Sequence, residues 1–158
     1  MRRFEKISFE QFKKDIVDDK KLYDSYEIPK RKTKNSAGYD FSSLIEKNLT
    51  PGESVLIPTG IKCELNPDDV LLIIVRSSLG FKHNIRVVNQ VGVIDADYYN
   101  NIDNEGHIFI KLKNEGDHDY KIDIGSAVAQ GLIVKYGTTD DEEEVTTERE
   151  GGIGSTNK

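Results

Sequence analysis

The chain has 158 residues, 36% hydrophobic and 32% charged, enough for one domain with a buried core and no covalent staples. Its formal net charge of −6 argues against a general nucleic-acid binder, because polymer phosphates are held by clustered Lys and Arg. No apolar run is long enough to span a bilayer, and the opening Met1-Arg2-Arg3-Phe4-Glu5-Lys6 lacks the apolar stretch of an export signal, so no membrane partner and a cytoplasmic location are expected.

The first 28 residues read as an extension that contains a helix from Ser8 to Val17. Ser8 is its N-cap, Glu10 and Gln11 lie in the first turn, and Phe9, Phe12 and Ile16 recur at near-helical spacing. From Tyr39 the texture changes to short β-type runs: Ser54 to Ile57, Gly60 to Leu65, Val70 to Val75, Ile85 to Val88, His107 to Lys113 and Ala127 to Lys135. Thr50-Pro51-Gly52-Glu53 and Asn66-Pro67-Asp68-Asp69 are turns, with proline presetting φ and Gly or Asx supplying the reversal. Many short strands at this spacing predict an all-β sandwich or barrel over 1–136. The lone cysteine, Cys63, alternates with Ile61 and Leu65 and reads as a buried core thiol. After Tyr136 periodicity is lost. Residues 137–158 form an acidic linker, Asp140 to Glu144, and a glycine-rich arm, which predicts a flexible tail.

Three segments have chemistry to offer. Arg76-Ser77-Ser78 follows the apolar run Val70 to Val75, so a strand either delivers a cation and two hydroxyls to an anion or, the plainer reading of the tripeptide alone, ends in a surface turn with an incidental Arg. Gly92-Val93-Ile94-Asp95-Ala96-Asp97-Tyr98 puts two acids between an apolar pair and an aromatic pair. An acid held against Val93 and Ile94 would be partly desolvated and thereby a better base, while the plainer reading is a turn whose aspartates cap backbone N–H groups. Gly151-Gly152-Ile153-Gly154-Ser155-Thr156 is either a free terminus or a segment that folds over phosphates. It is not a Walker A loop, because no Lys precedes the Ser.

Taken in order, Ala37-Gly38-Tyr39-Asp40-Phe41, Arg76-Ser77-Ser78, Asn89 to Tyr98, Gly125-Ser126-Ala127-Val128-Ala129-Gln130 and Arg149 to Thr156 resemble the five motifs of the trimeric dUTP pyrophosphatases. The resemblance implies a jelly-roll-like (β-clip) subunit of a homotrimer, with active sites shared between chains and the arm of one chain closing a site formed by its neighbours. It implies Mg²⁺-dependent hydrolysis of dUTP to dUMP and pyrophosphate. Asp95 would activate the water. Tyr98 would stack on the deoxyribose, and Asn89, Gly92, Val93 and Ile94 would read uracil. Arg76, Ser77, Ser78, Gln130, Arg149, Gly154, Ser155 and Thr156 would hold phosphates, and Asp40 would touch magnesium through water.

The family's tail usually carries a Phe that stacks on uracil, and here that place is taken by Ile153, which covers without stacking. Arg149 sits one residue nearer the glycine pair than in the commoner spacing, and Asn157 replaces a terminal Gly. The stretch Asn100 to His107 is therefore expected to supply the missing cover, with His107 as its candidate, while His83, His107 and His118 are read as structural or surface groups and not as metal ligands. Two other readings remain. The related dCTP deaminases carry a catalytic glutamate where this chain has Lys111, and some phage-encoded relatives bind a repressor protein, for which the N-terminal segment and acidic tail leave room.

Overall fold

The computed structural model describes residues 1–154, so Ser155 and Thr156 lie outside the described residues. In chain order the elements are β1 (Arg3–Lys6), α1 (Phe9–Asp15), α2 (Lys20–Ser25), β2 (Tyr39–Ser42), β3 (Lys47–Leu49), β4 (Ser54–Pro58), β5 (Ile61–Glu64) and β6 (Asp69–Val75). There follow α3 (Ser77–His83), β7 (Ile85–Val87), β8 (Gly92–Asp95), a 3₁₀ turn (Ala96–Tyr98), β9 (Phe109–Asn114), β10 (Tyr120–Ile122) and β11 (Ala127–Lys135). The mostly-β reading holds, and the expected strands fall within a residue or two of their predicted ends.

Every strand pairing is antiparallel. One sheet has the order β2-β11-β6-β8 and a second the order β4-β9-β7, with two-stranded ribbons β1-β5 and β10-β3 beside them. Alternation decides which faces meet. In β9, Ile110 and Leu112 are buried while Lys111 between them is exposed. Phe41, Leu71, Ile73 and Ala129 of the first sheet join Ile57, Ile85, Val87, Ile110 and Leu112 of the second in one core, with Leu49, Ile61, Cys63 and Ile122 from the ribbons. Each such side chain, fully buried, contributes roughly 1.5–3 kcal/mol. Burial also pushes the Cys63 thiol up to about 12, which makes it a packing group.

Both proline-containing turns form, with Glu53 N–H donating to Thr50 O at 3.0 Å and Asp69 N–H to Asn66 O at 3.0 Å. Ser8 caps α1 as expected, its Oγ accepting from Gln11 N–H at 3.1 Å, although the helix stops at Asp15 instead of reaching Val17. A second helix, α2, went unforeseen, because Leu22 and Tyr23 alone are too short a signal. Together α1 and α2 build a small aromatic cluster of Phe9, Phe12, Tyr23 and Tyr26 around Ile7 and Leu44. Arg2 adds a two-pronged ion pair to buried Asp69, 2.6 Å at both oxygens, which ties the N-terminus to the start of β6. Among the described residues, no helix is long and apolar enough to cross a membrane.

Candidate active site

β8 lies against β6, with Gly92 opposite Ile73 and Asp95 opposite Val70. A side chain on Gly92 would bring a Cβ within 3.1 Å of the Ile73 Cβ, so glycine lets β8 begin close to its neighbour. β7 and β8 do not pair with each other. β7 pairs only with β9 of the other sheet, and the turn between β7 and β8 passes Asn89 and Gln90 (φ 65°) to join the two sheets. This crossing leaves a pocket of about 210 Å³ between sheet edges, lined by Asn89, Gly92, Val93, Ile94, Asp95 and Tyr98 on one side and by Phe109 and Lys111 of β9 on the other.

Tyr98 is 5% exposed, and its hydroxyl is held at both ends: it donates to His107 O at 2.9 Å and accepts from Asn104 Nδ2 at 2.9 Å. Burial raises the phenol's pKa, with Asn104 and Arg149 opposing, so the hydroxyl stays a donor. His107 is fully buried. Its Nε2 accepts from Gly60 N–H at 2.9 Å, so the proton sits on Nδ1, which donates to Asp15 at 2.7 Å. Burial keeps this imidazole neutral by lowering its pKa, against the pull of Asp15. His107 therefore joins α1 to the core and is not the cover over the base, because both ring nitrogens are taken by Gly60 and Asp15 and the ring does not line the pocket. His118 is on the surface as expected, and His83 is exposed with its ring 4.8 Å from that of Tyr120.

The arm returns to this pocket. Arg149 Nη2 lies 2.7 Å from Asp95 and its Nε 2.8 Å from Asp97, while its guanidinium is 5.7 Å from the centre of the Tyr98 ring. Gly152 N–H donates to Asp103 at 3.0 Å. Ile153 and Gly154 reach the pocket's edge, with Ile153 76% exposed. In the single chain the arm thus lies over the chain's own pocket. Asp95, which the sequence places beside Val93 and Ile94, is only half covered in the single chain. Its side chain is 51% exposed and paired with an arginine, because Val93 and Ile94 flank it along the strand without covering it.

A second group of predicted residues gathers elsewhere. Gln130 on β11 stands opposite both Asp40 on β2 and Ile74 on β6, and Arg76 directly follows β6. Arg76 Nε is 3.2 Å from Asp40 Oδ1. Gly38 makes room here, since a Cβ would fall 2.3 Å from Gln130 Oε1. Ser77 and Ser78 do not end a strand, as expected, but open α3, with Arg76 as its N-cap residue. Their N–H groups belong to a first turn that has no intrahelical acceptors, which suits an anion.

Among the described residues the buried Asp40 Oδ2 has no hydrogen-bond partner, although the Lys32 ammonium, which the motif reading missed, lies 3.5 Å away. An orphaned carboxylate oxygen of this kind fits a water held by magnesium. Among the described residues no three His, Cys, Asp or Glu side chains cluster as a metal cage.

The two groups do not meet within one chain. Asp95 pairs with Val70 and Arg76 lies six residues further along β6, about 20 Å at the usual strand rise.

The model of the dUTPase family matches residues 24–157. The chain belongs to the dUTPase family. It is 45% identical over 130 residues to the deoxyuridine 5'-triphosphate nucleotidohydrolase of Lactococcus lactis subsp. lactis, covering 82% of this chain and 87% of that one. The crystal structure of the dUTPase from Streptococcus mutans is similar at a TM-score of 0.70 and 36% identity, covering 87% of this chain and 98% of that chain. The Staphylococcus bacteriophage 80alpha dUTPase has a TM-score of 0.69 at 22% identity, covering 94% and 98%, a likeness of fold alone. The stretch matched to the dUTPase family begins after α1, so the helix that holds His107 through Asp15 precedes it.

Proposed function

We propose that this chain hydrolyses dUTP to dUMP and pyrophosphate, which supplies dUMP for thymidylate synthesis and keeps uracil out of DNA. The observation that carries this reading is the 210 Å³ pocket, which puts Asn89 and the β8 main chain, the anchored Tyr98 and the carboxylate of Asp95 around one cavity. Asn89 and β8 read the uracil edge, and the close main chain leaves no room for a thymine methyl. A hydrogen-bonding pocket discriminates strongly because the wrong base leaves buried groups unpaired. The Tyr98 face meets the sugar. Asp95 takes a proton from a water as that water attacks the α-phosphorus, the bond from α-phosphorus to the bridging oxygen breaks, and pyrophosphate leaves.

Phosphate contacts come from Arg76, Ser77, Ser78 and Gln130. Because a base must stand within about 3 Å of the proton it abstracts, and Arg76 lies about 20 Å along the chain from the Val70 that faces Asp95, this phosphate group acts on the substrate held by a neighbour. A homotrimer with shared sites meets that need. Arg149 leaves the aspartates for the γ-phosphate when the triphosphate arrives, exchanging one charge-assisted pair for another. Magnesium, when bound, neutralises the triphosphate, and Asp40 would hold it through water. Lys111 facing the pocket, where the deaminases place an acid, speaks against deamination.

Pyrophosphate release from dUTP, dTTP, UTP and dCTP, with and without Mg²⁺, tests the reading. Turnover of dUTP alone, dependent on Mg²⁺, is expected; equal turnover of all four would refute the assigned pocket, and ammonia release would favour the deaminase alternative.

A further inference from the structure

The loop between Tyr98 and β9 carries a relationship that the motifs do not contain. Asn101 folds it: its Nδ2 donates to Tyr98 O at 2.8 Å, while its Oδ1 accepts the N–H groups of Asp103 (3.1 Å) and Asn104 (3.2 Å). Gly106, at φ 82°, lets the loop return so tightly that a Cβ there would lie 2.6 Å from Tyr98 O. Asn104 is thereby held in one orientation. Its Oδ1 accepts from Gly106 N–H at 3.0 Å and from Asn101 Nδ2 at 2.9 Å, which turns its amide N–H toward the Tyr98 hydroxyl at 2.9 Å.

The same amide meets the arm. A Cβ on Gly152 would fall 3.2 Å from Asn104 Nδ2, so the glycine rests directly against it, and the neighbouring Asp103 accepts the Gly152 N–H. One side chain therefore touches both the ring assigned to the sugar and the arm that closes over the site.

We infer that Asn104 is a positioning residue that couples docking of the C-terminal arm to the rejection of ribose by Tyr98. The inference rests on the proposed dUTP hydrolysis and on the sugar-facing role of Tyr98. A docked arm confines the Asn104 amide on its open side, which fixes the tip of the Tyr98 ring and the space left for a 2′-hydroxyl. An undocked arm leaves the amide to water and the ring less constrained. Coupling of this kind is reciprocal: whatever loosens Tyr98 also loosens the arm.

The experiment measures kcat and KM for dUTP and for UTP in the full-length protein and in Asn104→Ala, Asn104→Asp and Gly152→Ala. Asn104→Asp keeps the acceptor and the shape but removes the donor to Tyr98, and Gly152→Ala disturbs the amide from the arm side only. The dUTP-over-UTP preference in kcat/KM is expected to fall about 5- to 10-fold in all three, the scale of one hydrogen bond, with kcat for dUTP changed less than KM. Trypsin cleavage after Arg149 in the presence of α,β-imido-dUTP is expected to quicken in Asn104→Ala and equally in Tyr98→Phe, which lacks the hydroxyl that Asn104 holds. An unchanged preference in a full-length protein that turns over dUTP overturns the coupling alone. A full-length protein that does not turn over dUTP overturns the site assignment and the coupling with it.

Discussion

Asp95 and Arg76 sit toward opposite ends of one seven-residue strand, β6, with Asp95 held across from Val70 and Arg76 just beyond Val75. About 20 Å of strand separates them. In the roles proposed for them, base and phosphate contact, the two meet at one α-phosphorus only when they come from different chains.

Mixed assembly makes this separation measurable. Asp95→Asn and Arg76→Ala chains, each inactive alone, are denatured together and refolded. Random pairing joins an intact Asp95 to a neighbour's intact Arg76 in about one quarter of interfaces, and about that share of the activity should return. Zero recovery in correctly sized oligomers would place both groups in one chain's site.

Asp95→Asn keeps the shape but cannot take a proton from water. Pyrophosphate release should drop by roughly 10²- to 10⁴-fold, while α,β-imido-dUTP binds within a few-fold of its original affinity by calorimetry. A loss of binding as large as the loss of rate would make Asp95 a binding group and not the base.

Asp40→Asn removes the charge beside Arg76 and Lys32. The Mg²⁺ concentration for half-maximal dUTP hydrolysis should rise, with saturating ion restoring part of the rate. The same Mg²⁺ titration of Lys32→Met is expected to shift the other way, since the ammonium competes for Asp40 Oδ2. Overlapping curves for all three proteins would remove Asp40 from the metal's surroundings.

The Arg2 guanidinium holds the Asp69 carboxyl down to about 2, helped by Asn66 N–H and against its own burial. A free aspartate titrates near 3.9, so the folded state gains stability from this pair above about pH 4 and loses it as pH falls through about 2. The thermal midpoint of Arg2→Met should lie below that of the unaltered protein at pH 6, and the gap should close between pH 4 and 2. A gap that persists at pH 2 would mean that Arg2 acts through packing.

Much of this was readable without coordinates. The short runs Val70 to Val75 and Ala127 to Lys135 mark strands because they are rich in β-type apolar residues and bounded by turn residues, and Ser8 marks a helix start because its hydroxyl satisfies a free N–H. Local chemistry of that kind survives in any tertiary setting. What escaped the sequence was the end of α1 and the whole of α2, which depend on packing against Ile7 and Leu44, residues outside both helices. Asp103 and Asn104 escaped as well, because their partners Gly152 and Tyr98 are brought to them by the fold.

By itself, the order of the five motifs determined the family and named the candidate site residues, since both depend on side-chain type and spacing along the chain. Only the tertiary structure decided how they are grouped. Antiparallel register sends Asp95 toward one end of β6 and Arg76 to the other, it buries His107 under α1 instead of over the base, and it draws Arg149 onto Asp95 and Asp97. Register and burial are set by contacts between residues far apart in sequence, and no local pattern encodes them.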